Sequence, residues 1–408
     1  MKARRRARTI ALAMVLAAGV SVEAQVTGSA SAMVDVLPDP DEASGRQTAT
    51  ELRIRVFAER RQDVGEHLRL NASAYVEGLA GDRGAAGTAS DAVIRPVDLY
   101  AAWSHRRFDI RAGAARIVWG RLDEFQPTDV VNPIDLTKFL LEGRSEARLS
   151  VGVVRGRVFL PGSSTLEAVV VPAFRASRFD QLDEATSPFN VGVSAPARHE
   201  PDIAWRNMQG GARFTSTASR IDWGLSVYRG FRSFPIVTAI AAPAGVTLTE
   251  TFPRFTMIGS DFETVRGPWG LRGEVAAFVE DELQASTPPR GIPGRSVDAG
   301  VGLDRRAGDY RIGANVLWSR RSADETDSDV TLVIAGDRSF ARETRTVRVF
   351  GVYDPGDATA FGRIIAAISV RDNVWLEGSG GVFTGTSADV LGRLSQRDFL
   401  YARLKVFF

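Results

Sequence analysis

The chain has 408 residues, including 39 glycines, 22 phenylalanines and seven tryptophans, and it contains no cysteine. Neither disulfides nor thiolate metal sites are therefore expected to hold it together. Its 51 basic and 49 acidic residues nearly cancel, so the strong positive charge typical of nucleic-acid binding is absent and no nucleic acid partner is expected.

The amino terminus predicts an export signal. Five basic residues lie within Met1–Arg8, an apolar run follows from Thr9 to Val20, and the segment ends in the small residue Ala24. This order is that of a secretory signal peptide, and the apolar run is too short to span a bilayer as a helix. We predict a signal peptide over residues 1–24 and a single domain over residues 25–408.

From Val26 onward, apolar and polar residues alternate with a period of two, which predicts amphipathic β-strands. In one such segment Leu52, Ile54 and Val56 alternate with Arg53 and Arg55. Segments of roughly ten residues suffice to cross a bilayer as tilted strands. The clear segments lie at about 48–58, 67–78, 96–104, 108–114, 149–160, 164–175, 207–217, 220–230, 251–264, 269–280, 296–305, 309–320, 344–353, 359–371, 373–383 and 397–408.

The connections between these segments set the strand number. Short turns typically face the periplasm in outer-membrane barrels, and long loops face outward. With both termini in the periplasm, sixteen strands cannot place every turn correctly, whereas adding weaker strands at about 26–36 and 329–336 restores the parity. The predicted fold class is all-β, a closed antiparallel transmembrane β-barrel of about 18 strands, with 16 as the alternative. Long outer loops are predicted at about 79–95, 119–148, 176–206, 231–250, 281–295 and 384–396.

The last strand alternates to the final residue. Arg403 and Lys405 are polar, and every second position is apolar, namely Leu400, Ala402, Leu404, Val406 and Phe408. This ending resembles the assembly signal of bacterial outer-membrane β-barrels. The resemblance implies a location in the Gram-negative outer membrane, surrounded by lipid and lipopolysaccharide, and recognition of these five residues by the barrel-assembly machinery.

The arginines on the polar faces predict a wet lumen. An arginine facing lipid at the bilayer midplane costs about 2–4 kcal/mol, so the arginines of the polar faces are expected to point inward. A lumen at this strand number is wide enough for a channel. The predicted pore-lining residues are Arg53, Arg55, Arg69, Arg107, Arg111, Arg155, Arg157, Arg213, Arg272, Arg311 and Arg363.

The loop 119–148 is the third outer connection by parity. Asn132 as N-cap, Pro133 at the first helical position and Gly143 after the end predict a short helix over 133–141. By its position the loop resembles the third loop of general porins, which folds into the barrel. Facing the lumen arginines, its polar residues would create a transverse field; alternatively they are solvated loop charges, with Asp129 and Asn132 capping turns. These constriction candidates are Asp123, Glu124, Asp129, Asn132 and Asp135.

The segment from Arg116 to Pro133, with R-I-V-W-G followed by D-V-V-N-P-I-D, resembles the alginate-export-like and related outer-membrane barrel families. The expected activity is porin-like diffusion of polar or anionic small solutes. Two alternatives remain open, namely export of an anionic polysaccharide and a non-conducting structural or adhesive barrel. Neither the solute nor the oligomeric state follows from the pattern.

No catalytic chemistry is predicted. The chain has three histidines, and none of them lies in a recognisable nucleophilic motif. The acidic run at 324–329 lacks the spacing of a calcium loop. We therefore expect no enzyme activity, no catalytic residues, no metal and no cofactor.

Overall fold

The computed structural model describes residues 25–38, 49–82, 88–178, 197–242, 245–286, 288–323, 326–385, 390–395 and 397–408. The predicted signal peptide at 1–24 lies outside these residues and stays a prediction. Among the described residues, no helix is both long and apolar enough to cross a membrane.

Eighteen strands of the described residues form one closed antiparallel sheet. Each strand pairs with its neighbour along the barrel. They are β1 (Gln25–Leu37), β2 (Ala49–Val64), β3 (Leu68–Asp82), β4 (Thr88–His105), β5 (Phe108–Ala115), β6 (Val151–Leu160), β7 (Ser164–Val171), β9 (Gln209–Ala218), β10 (Ile221–Phe231), β13 (Arg254–Arg266), β14 (Trp269–Ser286), β15 (Pro289–Ala307), β16 (Tyr310–Ser322), β17 (Thr326–Phe340), β18 (Arg345–Asp354), β19 (Thr359–Arg371), β20 (Val374–Thr384) and β21 (Phe399–Phe407).

The remaining elements belong to the connections. A separate small sheet contains β8 (Ala197–His199), β11 (Ile236–Ala242) and β12 (Gly245–Thr251). The short helices are α1 (Leu136–Glu142), α2 (Arg144–Ala147), α3 (Val390–Arg393) and a 3-10 turn over Trp205–Asn207.

The barrel closes where its last strand meets its first. β21 pairs with β1 from Ser29 opposite Phe407 to Val36 opposite Leu400. The terminal residue continues the ladder, because the Phe408 N–H donates to the Gly28 carbonyl at 3.0 Å and the Gly28 N–H to the Phe408 carbonyl at 2.8 Å. No edge strand of the closed sheet is left for pairing with another chain.

The two faces of the wall differ as the alternation predicts. On β2, Leu52 and Ile54 are exposed on the outside, at 43% and 52%, whereas Arg53 between them is 6% exposed inside. The same phase exposes the apolar residues Leu400, Leu404, Val406 and Phe408 of the carboxy-terminal segment. The outer surface is thus an apolar belt suited to acyl chains, and the guanidinium group of Arg53 points inward.

The predicted 18-stranded barrel is confirmed, and the alternative of 16 strands is wrong. The two weak segments that parity required are present as β1 and β17. Short turns lie at the end that carries both barrel termini, which we call the turn end, and the opposite end is the loop end. The turns connect β2–β3, β4–β5, β6–β7, β9–β10, β13–β14, β15–β16, β17–β18 and β19–β20.

Two predicted loops are largely strands of the barrel sheet. β14 continues to Ser286 and β15 begins at Pro289, so residues 281–295 form a protruding hairpin. β3 and β4 likewise occupy most of 79–95. Outside the bilayer no lipid requires an apolar outer face, so the alternation of apolar and polar residues fades while the backbone pairing continues. The strand ends predicted from the alternation were therefore too early.

Candidate functional site

The connection between β5 and β6, residues 116–150, folds into the barrel, and we call it the inner loop. Its base is held by the side chain of Asn132, which accepts from the Ile117 N–H at 2.7 Å. The same amide donates to the carbonyls of Ala115 at 3.2 Å and Leu149 at 2.7 Å. One buried side chain therefore joins the incoming and outgoing strands of the loop.

The first lobe of the inner loop, residues 119–128, is fixed on β14 by Glu274. This buried carboxylate accepts the N–H groups of Arg121 and of Leu122, the latter at 2.6 Å. It also accepts the hydroxyl of Thr128 at 2.8 Å and its N–H at 3.2 Å. Gly120 has a φ of +95°, and a Cβ there would lie 2.7 Å from Glu274 Oε2. Glycine is thus required by both conformation and space.

Charges of this lobe meet opposite charges on the wall. Arg121 donates to Asp261 at 2.6 Å and to Glu263 at 3.3 Å. Asp123 lies 3.2 Å from Arg272 and 3.1 Å from Arg311. These ion pairs therefore hold the first lobe against β13, β14 and β16.

The second lobe is helix α1 and lies against a different part of the wall. The side chain of Asp135 caps its first turn by accepting from the Lys138 N–H at 3.2 Å. At the other end, Glu142 accepts from Arg55 at 2.8 and 2.9 Å and from Arg403 at 2.6 Å. Arg363 donates to the carbonyl of Leu140 at 2.5 Å, which satisfies one of the last helical acceptors.

Lys138 and Glu142 have perturbed protonation equilibria. Burial lowers the pKa of Lys138 to about 8, and the neighbouring charge of Arg55 acts in the same direction. Its ammonium group donates to the Tyr75 hydroxyl at 2.6 Å. Although burial alone would raise it, the pKa of Glu142 is held well below its usual value by Arg55 and Arg403. Glu142 is therefore ionised and holds the end of α1 on the wall through its ion pairs.

Two apolar clusters inside the barrel pack the lobes onto the wall. One surrounds α1 and reaches β17–β21 and β1, and the other packs the loop base and Trp119 on β6, β7, β10, β13 and β14. The first contains Met33, Leu37, Phe139, Leu140, Leu141, Ala147, Val333, Phe350, Val352, Phe361, Phe383, Leu394, Phe399 and Tyr401. The second contains Ala115, Ile117, Trp119, Val131, Val151, Val153, Val169, Val171, Tyr228, Phe255, Met257, Ala276 and Phe278.

Two neighbouring guanidinium groups on the wall near the inner loop are not fully neutralised by acids. Arg111 and Arg155 lie directly opposite each other on β5 and β6. Arg111 stacks over the Tyr100 ring at 4.1 Å, and no described carboxylate lies within 4.0 Å of it. Arg155 reaches Asp109 at 3.5 Å and Glu167 at 3.9 Å. The Nε atoms of both arginines are buried without a hydrogen-bond partner.

The two acids near Arg155 are already engaged. Arg157 donates to Asp109 at 2.9 Å, and the Trp119 indole N–H donates to Glu167 at 2.7 Å. The three guanidinium groups of Arg111, Arg155 and Arg157 thus lie near only two carboxylates, which leaves a local positive potential around Arg111 and Arg155 on the inner wall.

Most of the other predicted pore-lining arginines are neutralised by wall or loop acids. Arg53 lies 3.5 Å from Glu51, and Arg213 lies 2.8 Å from Asp261. Arg69 is exposed near the turn end with Asp63 at 2.7 Å. Arg107 lies in the turn between β4 and β5 rather than on a strand.

The predicted loop residues have different roles. Asp123 meets wall arginines, and the charge of Glu124 acts on Arg363. Asp129 pairs instead with Arg148 inside the loop, and Asp135 caps α1 and pairs with Arg178 at 3.1 Å. Asn132 holds the loop base and caps no helix. A transverse field from these residues remains a prediction.

The predicted helix at 133–141 was wrong in its start, because α1 covers Leu136–Glu142 with Asp135 as N-cap. Pro133 is used at the loop base, where its carbonyl accepts from the Leu149 N–H at 2.9 Å. Gly143 does follow the helix end, with a φ of +99°.

Sequence reasoning missed Glu142, Lys138 and Arg121. One signal was available for Glu142, since an acid in the last helical turn opposes the helix dipole and suggests a cationic partner. No group of three or more potential metal ligands lies within the described ranges.

Comparison with known proteins gives a family and a fold. Residues 41–323 match the family described as a protein of unknown function, DUF1302. No curated protein matches the chain.

Several solved structures share the architecture. OccAB3 of Acinetobacter baumannii has a TM-score of 0.55 at 7% identity, covering 95% of this chain and 99% of that one. OccK5 of Pseudomonas aeruginosa has a TM-score of 0.52 at 10% identity, covering 94% and 96%. OccK7 of Pseudomonas aeruginosa has a TM-score of 0.52 at 9% identity, covering 95% and 98%. At these identities the likeness shows the outer-membrane porin fold alone.

Proposed function

The chain belongs to the DUF1302 family, whose description states no activity, and from its geometry we propose that it is an outer-membrane channel for polar and anionic small solutes. The porin fold and the apolar outer belt support the location and the channel role. The positive site at Arg111 and Arg155 supports the preference for anions. We assign no catalytic step to the chain, and esterase and protease assays of the purified protein are expected to be negative.

The observation that carries the anion preference is the imbalance of charge around Arg155. A carboxylate or phosphate of a solute would complement the excess guanidinium charge here, because guanidinium groups bind such anions through paired hydrogen bonds. Arg111 stacks over the Tyr100 ring, which helps to fix the position of its guanidinium. Other lumen acids such as Asp261 and Glu77 have guanidinium partners of their own, so they offset this site only at a distance.

Reversal potentials in a salt gradient across planar bilayers test the proposal. The wild-type channel is expected to favour anions over cations. The double variant Arg111→Gln/Arg155→Gln is expected to lower the permeability ratio several-fold, since one guanidinium 4 Å from an anion contributes about 1 kcal/mol in bulk water. Arg338→Gln, at an exposed guanidinium paired with Asp309 near the turn end, is the control. Cation selectivity of the wild type would contradict the proposal.

The extent of loop packing favours one second candidate, a non-conducting barrel. Both lobes of the inner loop are anchored by ion pairs and by apolar clusters. This candidate predicts no unit current from the wild type and a new current after residues 121–142 are shortened. A wild-type current that changes on shortening would instead support a channel lined by the loop, and an unchanged current would mean that the loop does not line the pore.

A further inference from the structure

A stiff turn at the loop end presents two large apolar side chains to the outside. Residues 202–208, which we call the knuckle, precede β9 and include the 3-10 turn. The Asn207 side chain donates to the Asp202 carbonyl at 3.1 Å, and Arg206 donates to the Asp202 carboxylate at 2.9 Å. On this frame Ile203 is 83% exposed and Trp205 is 86% exposed. Exposed apolar side chains that continue an apolar surface mark sites of contact with a partner or a membrane.

The knuckle lies against the outer face of the barrel rather than over the lumen. Arg254 begins β13 in the outward phase, because Ile258 is exposed whereas Phe255 and Met257 are buried inside. Its guanidinium donates to the Arg206 carbonyl at 2.7 Å. The knuckle therefore extends the apolar belt at the loop end, where tryptophan is favoured at a membrane interface.

Guanidinium groups lie in and beside the knuckle. Asp202 neutralises Arg206, and Glu280 on β14 neutralises Arg229 on β10. Arg254 lies 4.3 Å above the Phe231 ring, and no carboxylate of the described residues lies within 4.0 Å of it. The surface thus combines one unneutralised cation with exposed apolar groups at the same height on the barrel.

We propose that the knuckle and Arg254 bind a phosphorylated glycolipid of the outer leaflet, that is, the lipid A part of lipopolysaccharide. Arg254 would bind a lipid A phosphate, and Trp205 and Ile203 would lie among its acyl chains. The inference rests on the proposed outer-membrane location. The charge favours this occupant over a second copy of the chain, because a guanidinium without a carboxylate complements a phosphate and would repel its own equivalent near a symmetry axis.

Thermal unfolding of the full chain in detergent micelles tests the site without measuring conductance. Diphosphorylated lipid A is expected to raise the unfolding midpoint of the wild type, whereas dephosphorylated lipid A with the same acyl chains and phosphatidylglycerol are expected to do so much less. Arg254→Gln is expected to raise the concentration needed for half of the shift at least tenfold, and Trp205→Ala is expected to raise it as well. The matched control is Arg305→Gln, an exposed arginine 5.2 Å from the Trp269 ring at the turn end.

An equal response of Arg254→Gln and the wild type would overturn the inference, as would an equal response to dephosphorylated lipid A. A dimer or trimer that dissociates in Trp205→Ala would assign the knuckle to a second copy and also overturn it. Loss of lipid A binding with intact conductance would refute this inference alone, whereas absent conductance with intact binding would refute only the channel.

Discussion

Removing the Glu142 carboxylate should release the second lobe of the inner loop. The side chain is 1% exposed and joins α1 to Arg55 and Arg403. Deleting one partner of a buried ion pair costs about 3–5 kcal/mol. The lower end applies here, because Arg55 retains Glu77 at 2.6 Å and Arg403 retains Glu377 at 2.7 Å. Removing the unfavourable interaction of this carboxylate with the helix dipole lowers the cost by about 0.3–1 kcal/mol.

The net effect of Glu142→Gln is therefore about 2–2.7 kcal/mol, which is roughly a thirty- to hundredfold increase in the undocked fraction of α1. Limited proteolysis of the loop measures this fraction, since cleavage follows the open population when opening is fast. Glu146→Gln is the control, because Glu146 is exposed in the same loop. If Glu142→Gln and Glu146→Gln are cleaved at the same rate, Glu142 does not hold the loop.

Three further changes test other parts of the site. Gly120→Ala should detach the first lobe, because its Cβ would meet Glu274, and the channel current should become noisier or larger; an unchanged current would show that this contact is dispensable. Trp119→Phe should lose about 1.5–3 kcal/mol of stability with the bond to Glu167, measured as the urea midpoint in detergent; a change below about 0.5 kcal/mol would contradict this. Because the pKa of Lys138 is about 8 in the docked loop against about 10.5 in water, the docked loop binds fewer protons and docking strengthens as pH rises through this interval. Anion selectivity should fall as pH rises through about 8, where the docked ammonium loses its charge, and a selectivity step that persists in Lys138→Met would refute the assignment.

The barrel was predictable because the bilayer imposes one rule on every strand. Any residue that faces lipid must be apolar, so Leu52 and Ile54 reveal the orientation of Arg53 without knowledge of its partners. The weak strands β1 and β17 became identifiable only through the parity of turns, which is a property of the whole closed sheet. Where strands leave the bilayer, as in the hairpin of β14 and β15, this rule no longer applies, and the predicted strand ends were wrong.

The inner loop was predictable in position but not in contacts. Its place as the third connection follows from counting strands. The Arg403–Glu142 bond, however, joins residues 261 positions apart in the chain, and no local period records such a pairing. Asn132 shows the limit most clearly, because its sequence context is that of a helix N-cap, whereas tertiary contacts use the same amide to join Ile117 and Leu149.

The two lobes of the inner loop should open together rather than independently. Phe125 of the first lobe packs against Phe139 of α1 with ring centroids 5.3 Å apart, so displacing one lobe removes a contact of the other. A double-mutant cycle with Gly120→Ala and Glu142→Gln, read as loop cleavage rates, should give a coupling energy of about 0.5–3 kcal/mol. Repeating the cycle with Phe125→Ala should reduce this coupling, because the ring contact is then absent. Additive effects within about 0.5 kcal/mol in the parent background would mean that each lobe is held to its own wall alone.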